Sequence, residues 1–508
     1  MVIRRLKRHG ARFSIYLLAF ILLKASWWIH WKFGSPTIDQ IVFHFQNGNE
    51  ALADADPTVF KSFLAHVVLL PILFAIFAFA LQQLVLSDWT DRFIQRHRSR
   101  QRFMPYALGK VIQGAQFAFD HHFPIALLLI AALLLAQQVA LWTHLRNLEV
   151  SEFIDHNYVA PADITPPKHK PNLVLIYVES LESGFGDPAL MGEDLLAPLN
   201  AATQDAYRFN DYEQTTGTGW TIAGIVSTQC GIPLKSHALF DGNQQGEKVK
   251  SFLPGARCLG EVLADNGYKN VFLGGASLYF AGKGKFFAQH GYSELYGKEE
   301  WSRAGHKQFN DWGLYDDALF KEAKVKVDAL QKSRQPFNLT LLTVDTHPSF
   351  GYISPTCAKQ GVTDYKGIVH CTAGLVADFV GHLKQRGYLK NTVVVILGDH
   401  LSGQTPVEAI LAESPKRTIY NRFLTPNKLD QNRDRTFHFG VFPSILYAMG
   451  FRFPDNRLGI GASGFGPSDP NSTLSNLDAK SFSELTAKTS RKYMEFWEPN
   501  EGAYAQGH

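Results

Sequence analysis

Three long apolar runs in the first 145 residues constrain this chain more than any other feature it has. In hydrocarbon a backbone must satisfy its own polar groups, so runs of about 20 apolar residues are expected to be membrane helices. The first covers about 13–31 and follows Arg4, Arg5, Lys7, Arg8 and Arg12. It ends in Ser26-Trp27-Trp28 and His30-Trp31, an aromatic interfacial belt rather than the small residues of a signal-peptide cleavage site, so it reads as an anchor. Lys24 lies near one end, where it can snorkel. The second run covers about 63–86 and contains Pro71, and the third covers about 123–145, with Ile125–Ala136 wholly apolar. Arg92, Arg96, Arg98, Arg100, Arg102 and Lys110 lie between the second and third, whereas the first loop sets Lys32 against Asp39, Glu50, Asp54 and Asp56. The positive-inside rule then places the N-terminus and the arginine-rich loop in the cytoplasm, and three crossings leave everything after the anchor outside. Tyr106–Phe119 is too polar for a fourth span and reads as an interfacial stretch.

Residues 1–149 therefore form an anchor, and 150–171, marked by Pro161, Pro166 and Pro167, read as a linker. A head at 172–482 and a polar, aromatic tail at 483–508 follow. In the head, strand-like runs (Asn172–Val178, Asn270–Leu273, Leu339–Val344, Thr392–Leu397) alternate with helix-like ones (Asp316–Leu330, with Asp311 as a capping residue, and Thr372–Arg386). That alternation predicts an α/β fold, a mostly parallel sheet covered by helices on both faces. With 50 basic against 46 acidic residues, the net charge of +4 argues against a nucleic-acid binder. The four cysteines, Cys230, Cys258, Cys357 and Cys371, form no C-x-x-C motif. An even count outside the cytoplasm favours disulfides over unrelated thiols, and spacing leaves three pairings open.

The chemistry centres on Gly217-Thr218-Gly219-Trp220-Thr221-Ile222-Ala223-Gly224, where small residues deliver the Thr221 hydroxyl to the start of a helix. Three of the apolar strands lead directly into carboxylates: Glu179, Asp345, and Asp399 with His400 beside it. In open α/β sheets ligands bind beyond the carboxyl ends of strands, so these groups are expected to converge on Thr221 around a metal ion. A hydroxyl, carboxylates and an imidazole suit Mn²⁺, Mg²⁺ or Zn²⁺, which would activate Thr221 as a nucleophile toward phosphorus. His347, beyond Asp345, would bind a phosphate oxygen or serve a leaving group. An acidic residue after one strand is often only a helix cap; three strands ending alike point to a site.

These residues resemble the phosphoglycerol transferases of the lipoteichoic-acid-synthase-like branch of the alkaline phosphatase superfamily. The likeness rests on Asn172-Leu-Val-Leu-Ile-Tyr-Val-Glu179-Ser-Leu-Glu, Trp220-Thr221-Ile-Ala-Gly, Thr343-Val-Asp-Thr-His347 and Leu397-Gly-Asp399-His400. Ser227-Thr-Gln-Cys230-Gly-Ile-Pro, Phe280-Ala-Gly-Lys283 and Asn310-Asp-Trp-Gly-Leu-Tyr-Asp-Asp317 add to it, over about Ile38 to Gly450. The resemblance implies that Glu179, Thr221, Asp399 and His400 bind a divalent ion, Mn²⁺ first among the candidates, with Thr221 also the nucleophile. It implies catalytic and substrate contacts for His347 and substrate contacts for Lys283 and Trp220. Lys283 stands where lipoteichoic acid synthases have an arginine, so it would act as a point charge rather than a fork. It also implies the pairs Cys230–Cys258 and Cys357–Cys371.

The implied reaction moves phosphoglycerol from phosphatidylglycerol to a periplasmic glucan through a phosphoglyceryl-threonine, releasing diacylglycerol. The implied location is a bacterial inner membrane with the catalytic domain in the periplasm. Longer members continue past the matched region, which bears on the acceptor. Two rival readings are a phosphoethanolamine transferase acting on lipid A and a non-catalytic module that binds glucan or lipid. A sulfatase would need a C-x-P-x-R setting that Cys230-Gly-Ile-Pro-Leu-Lys does not supply.

Overall fold

The computed structural model describes residues 2–34, 36, 61–85, 122–147, 149–235, 251–467 and 477–498. The arginine-rich loop and Tyr106–Phe119 lie outside the described residues. The chain forms two compact units, 1–41 with 55–145, and 42–54 with 146–508.

In the first unit, His9–Lys32 and Lys61–Leu84 are helices of 24 residues each, long and apolar enough to cross a membrane. At 1.5 Å per residue each reaches about 36 Å. The second contains a π-helical turn, Leu64–Leu69, just ahead of Pro71. A wider turn there accommodates a residue that cannot donate and whose ring crowds the preceding carbonyl. The third apolar run departs from its expected 123–145 extent. Its helix, Phe123–Gln138, has 16 residues, and Ala140, with φ 51°, separates it from a short helix, Leu141–Asn147. Polar Gln137-Gln138 ends the apolar stretch, and the Gln138 amide donates to the Gly34 carbonyl at 2.6 Å. At the same end of the first helix, Trp27 stacks on Trp31 at 5.4 Å and the Lys24 ammonium lies 4.1 Å from the Trp27 ring centre.

The second unit is built on a six-stranded sheet of β1 (Asn172–Val178), β2 (Lys269–Gly274), β3 (Glu294–Tyr296), β4 (Phe337–Leu342), β5 (Thr392–Gly398) and β6 (Asn421–Leu424). Their order is β3-β2-β4-β1-β5-β6; the first five are parallel and β6 runs antiparallel to β5. Central β1 faces Thr340 of β4 and Val395 of β5 at Leu175. Its side chains alternate between two cores. Leu173, Leu175 and Tyr177 pack with the helices Thr221–Cys230, Leu259–Asp265 and His438–Ala448. Val174, Ile176 and Val178 pack with Asp316–Ser333 and Tyr365–Gln385. A sheet buried on both faces needs the continuous apolar strands seen in the sequence.

Several boundaries differ from expectation. β4 ends at Leu342, so Thr343 and Val344 already belong to the loop that carries Asp345. The Tyr365–Gln385 helix starts well before Thr372, because Asp364 caps it by accepting from the Gly367 amide at 2.8 Å. Asp311 does not cap the Asp316 helix; the Asp316 amide donates to Asp345 Oδ2 at 3.1 Å. Residues expected to form a linker, and the described residues 483–498 of the expected tail, are part of the head. Val150, Val159 and Thr165 bridge to Thr489, Gly459 and Arg452. Ile154, Tyr493 and Phe496 are buried in the first core. A few apolar residues in otherwise polar segments suffice for this, which is why composition concealed it. Disulfides join Cys230 to Cys258 and Cys357 to Cys371.

Candidate active site

Parallel pairing of β1 with β5 puts Glu179 and Asp399-His400 side by side, because each follows the last residue of its strand. The Thr221 helix crosses over both. Gly224 permits that approach: a Cβ on it would lie 2.1 Å from the Asp399 carbonyl oxygen. Thr221 is the first helical residue, after Trp220 in extended conformation (φ −154°, ψ 158°). The first-turn amides of the helix, which have no partner within it, therefore face the strand ends.

The Thr221 hydroxyl donates to Glu179 Oε2 at 3.1 Å, and Ser180 Oγ donates to Glu179 Oε1 at 2.8 Å. Asp399 Oδ1 accepts from the Ser180 and His400 amides at 2.8 and 3.0 Å. Asp399 Oδ2 is buried and has no hydrogen-bond partner among the described residues. His400 donates Nδ1–H to the Leu401 carbonyl at 2.9 Å, which turns Nε2 toward the carboxylates, 3.4 Å from Glu179 and 3.6 Å from Asp399. One ligand atom from each of Glu179, Asp399 and His400 lies within 4.8 Å of the others. An orphaned buried carboxylate oxygen, an imidazole nitrogen turned toward both carboxylates and a hydroxyl fit a divalent ion with mixed oxygen and nitrogen ligands.

Electrostatics say the same. Burial and the Glu179 charge push Asp399 up to about 7. Burial also opposes ionisation of Glu179, but its contact with His400 outweighs that and holds its carboxyl below the usual range. Burial opposes a charge on His400, yet Asp399 and Glu179 lift it to about 10. Two buried carboxylates thus draw positive charge into the space between them.

Around this group, His347 donates Nδ1–H to the Pro348 carbonyl at 2.7 Å, and its ring lies 4.2 Å from that of Trp312. Burial lowers its pKa, against the pull of Glu179, so the imidazole is neutral with Nε2 as its lone-pair nitrogen. Lys283 is buried, donates to the Phe280 carbonyl at 3.0 Å and lies over that ring. Burial brings its ammonium down to about 8, while the Glu179, Glu299 and Asp399 charges work to raise it. Trp220, half-buried, immediately precedes Thr221.

Asp345 does not join the convergence expected of it. Its Oδ1 accepts from Asn310 at 3.0 Å and its Oδ2 from the Asp316 amide, while Asp316 accepts from the Val344 and Asp345 amides at 2.7 and 3.1 Å. The carboxylate is committed to holding the loop that carries His347. The same lock accounts for the Asn310–Asp317 motif, since Asn310 Oδ1 also accepts from the Trp312 and Gly313 amides at 2.9 and 2.8 Å. A second cluster, Cys258, Glu261 and His290, has its sulfur in a disulfide and serves as a cap: Glu261 accepts from the Cys258 amide and meets His290 at 2.8 Å.

Three contributors were not singled out from sequence. His438 Nε2 donates to the Asp399 carbonyl at 2.8 Å. Buried Glu182 pairs with Arg417 at 2.5 and 2.9 Å, and Arg417 also donates to the Ser402 carbonyl. Ser180 contacts both carboxylates. Ser180 and Glu182 had a signal, their place in the Glu179-Ser-Leu-Glu run.

The sulfatase family profile matches residues 171–439, just over half of the chain. The chain belongs to the sulfatase family. Phosphoglycerol transferase I of Escherichia coli O6:K15:H31 and of Shigella flexneri are each 34% identical over 409 residues, covering 78% of this chain and 51% of the relative. The chain thus spans about half the length of these curated relatives. Among solved structures, the lipoteichoic acid synthase LtaP from Listeria monocytogenes superposes with TM-score 0.47 at 16% identity, over 62% of this chain and 82% of that one. The C-terminal periplasmic domain of EcEptC from Escherichia coli, in complex with Zn, gives 0.45 at 13% identity, over 65% and 100%. In this member of the sulfatase family the Cys230 sulfur is bonded to Cys258, so it is not available as a nucleophile.

Proposed function

We propose that this chain is a membrane-anchored, divalent-metal-dependent phosphoglycerol transferase that takes phosphoglycerol from phosphatidylglycerol and passes it to a periplasmic glucan. The observation that carries the reading is the Thr221 hydroxyl on Glu179, at a helix N-terminus, beside the orphaned Asp399 Oδ2 and a His400 Nε2 turned toward both carboxylates. The 34% identity to phosphoglycerol transferase I supports the choice of donor. The loop charges support three crossings, with the head on the periplasmic side of a bacterial inner membrane.

Glu179, Thr221, Asp399 and His400 would hold the ion, Mn²⁺ before Zn²⁺ or Mg²⁺; when bound, it supplies Lewis-acid stabilisation of oxygen and phosphoryl charge. Glu179 aligns the Thr221 hydroxyl, and the first-turn amides of the helix favour a phosphoryl group there. Thr221 Oγ1 attacks phosphorus as the bond to the diacylglycerol oxygen breaks, and the proton lost by Thr221 ends on that oxygen. Neutral His347 is suited to carry it, Nε2 receiving and then returning the proton. In the second half-reaction an acceptor hydroxyl displaces Thr221, and the acceptor proton ends on Thr221. Lys283 contributes a fixed positive charge near the phosphoryl group.

Mass spectrometry of Thr221-containing peptides after incubation with defined phospholipids tests this. A phosphoglyceryl adduct on Thr221 from phosphatidylglycerol is expected. An adduct formed instead from phosphatidylethanolamine, or none under turnover, would sink the proposal.

A further inference from the structure

A cleft of about 550 Å³ opens on the head between residues 206–210 and 431–434. Its walls include Arg208, Asn210, Asn432, Arg433 and Asp434, with Tyr207 at one side. Both cleft segments run straight into short parallel strands, 211–213 and 435–437, paired Asp211 to Arg435, Tyr212 to Thr436 and Glu213 to Phe437. The cleft therefore lies at the beginning of this two-stranded ribbon. The far end of the ribbon is the active site. Gln214, next after the ribbon, accepts from the Leu401 amide at 2.8 Å, and His438, next after its partner strand, holds the Asp399 carbonyl. Three residues of extended chain span roughly 10 Å.

One face of the ribbon carries charges that neutralise one another. Lys416 meets Asp211 and Glu213 at 2.9 and 3.1 Å, and Arg435 meets Glu213 at 2.8 Å. These groups are partly exposed, and the next residue, Arg417, donates to the Ser402 carbonyl. A polar track without excess charge of either sign thus leads from the cleft to the loop that follows His400.

We propose that this cleft and track form the acceptor subsite and take a neutral oligosaccharide; the inference rests on the transferase reading above and names where its acceptor binds. Sugar hydroxyls both donate and accept, and the cleft offers both kinds of partner: guanidinium and amide donors, with carboxylate and amide-oxygen acceptors. The ion pairs along the track leave no uncompensated charge for an anionic chain to follow, and a peptide would lack the apolar pocket that usually anchors one. A ligand seated in the cleft reaches the phosphoryl site only if it extends along the ribbon, as an oligomer of a few sugars does and a lone sugar does not.

The test uses the full chain in detergent and its R208A/N210A variant, both residues being exposed and outside the catalytic group. Binding of sophoro-, laminari-, cello- and malto-oligosaccharides is measured by calorimetry. Release of diacylglycerol from phosphatidylglycerol is followed with and without them. The subsite predicts that at least one series binds, and that the variant weakens it at least about tenfold, the loss of one charge-assisted and one neutral hydrogen bond. Diacylglycerol release without acceptor should be unchanged. Binding by none of the four series, equal binding by the variant, or displacement of a bound sugar from wild-type protein by sulfate alone would overturn it. The binding arm judges the cleft whatever the donor, whereas failure to release diacylglycerol from phosphatidylglycerol judges the transferase reading.

Discussion

Gly224→Ala sets helix propensity against packing at the centre of the site. In a helix interior the change is ordinarily favourable, because alanine exceeds glycine by about 1 kcal/mol. Here the new methyl carbon would lie 2.1 Å from the Asp399 carbonyl oxygen and 3.0 Å from its carbon. Carbon and oxygen of this kind approach to about 3.3 Å, so the helix and the Asp399 turn must part by roughly 1 Å. Overpacking of this sort costs about 1–3 kcal/mol, and disturbing the His438 hydrogen bond to the same carbonyl costs about 1 more. Set against the propensity gain, the net is a destabilisation of about 1–3 kcal/mol. The catalytic effect is larger than that figure conveys. Thr221 lies on one side of the joint and Asp399 on the other, and a 1 Å misplacement of reacting groups costs about 100-fold in rate. Gly374→Ala is the control, the same substitution in the Tyr365–Gln385 helix with nothing within 4 Å of the added carbon. It should stabilise by about 0.5–1 kcal/mol and leave activity alone. Denaturant midpoints and diacylglycerol release from phosphatidylglycerol read both quantities. If Gly224→Ala matched Gly374→Ala in stability and kept nearly full release, the steric reasoning would be refuted.

Thr221→Ala should abolish release and leave no adduct, while Thr221→Ser, which keeps the oxygen on Glu179, should retain partial activity and still form it; substantial turnover by the alanine variant would rule out the covalent route. Replacing both Cys357 and Cys371 by serine opens a loop with a sequence separation of 14 and should cost about 3 kcal/mol by the chain-entropy model. A loss under 1 kcal/mol in a non-reducing denaturant titration would contradict it. Burial pushes Asp316 up to about 7, so the folded head holds a proton that the unfolded chain has released. Its contribution is present below the unfolded value of about 4 and is lost as pH rises through 7. Asp316→Asn should therefore flatten the fall in stability over that window, and an unchanged slope would disprove the assignment.

The sequence by itself determined the sheet and most of the candidate site. β1 and β5 are legible because a parallel strand buried on both faces must be apolar throughout, and the first polar residue after it marks where the chain leaves the sheet. Adjacent strand ends then place Glu179, Asp399 and His400 together, and the small residues around Thr221 announce a close approach. The tertiary structure alone decided which way each strand-end carboxylate turns. Asp345 has the same local pattern as Glu179, yet β4 ends earlier, and the first amide of the Asp316 helix and the Asn310 side chain claim its oxygens. The roles of His438 and of the Glu182–Arg417 pair were equally hidden, because each acts across a fold contact between segments far apart in the chain. Residues 150–171 and 483–498 belong to the head for the same reason. Burial of a few side chains such as Ile154 and Phe496 is a property of the surface they meet, and their own segments are too polar to reveal it.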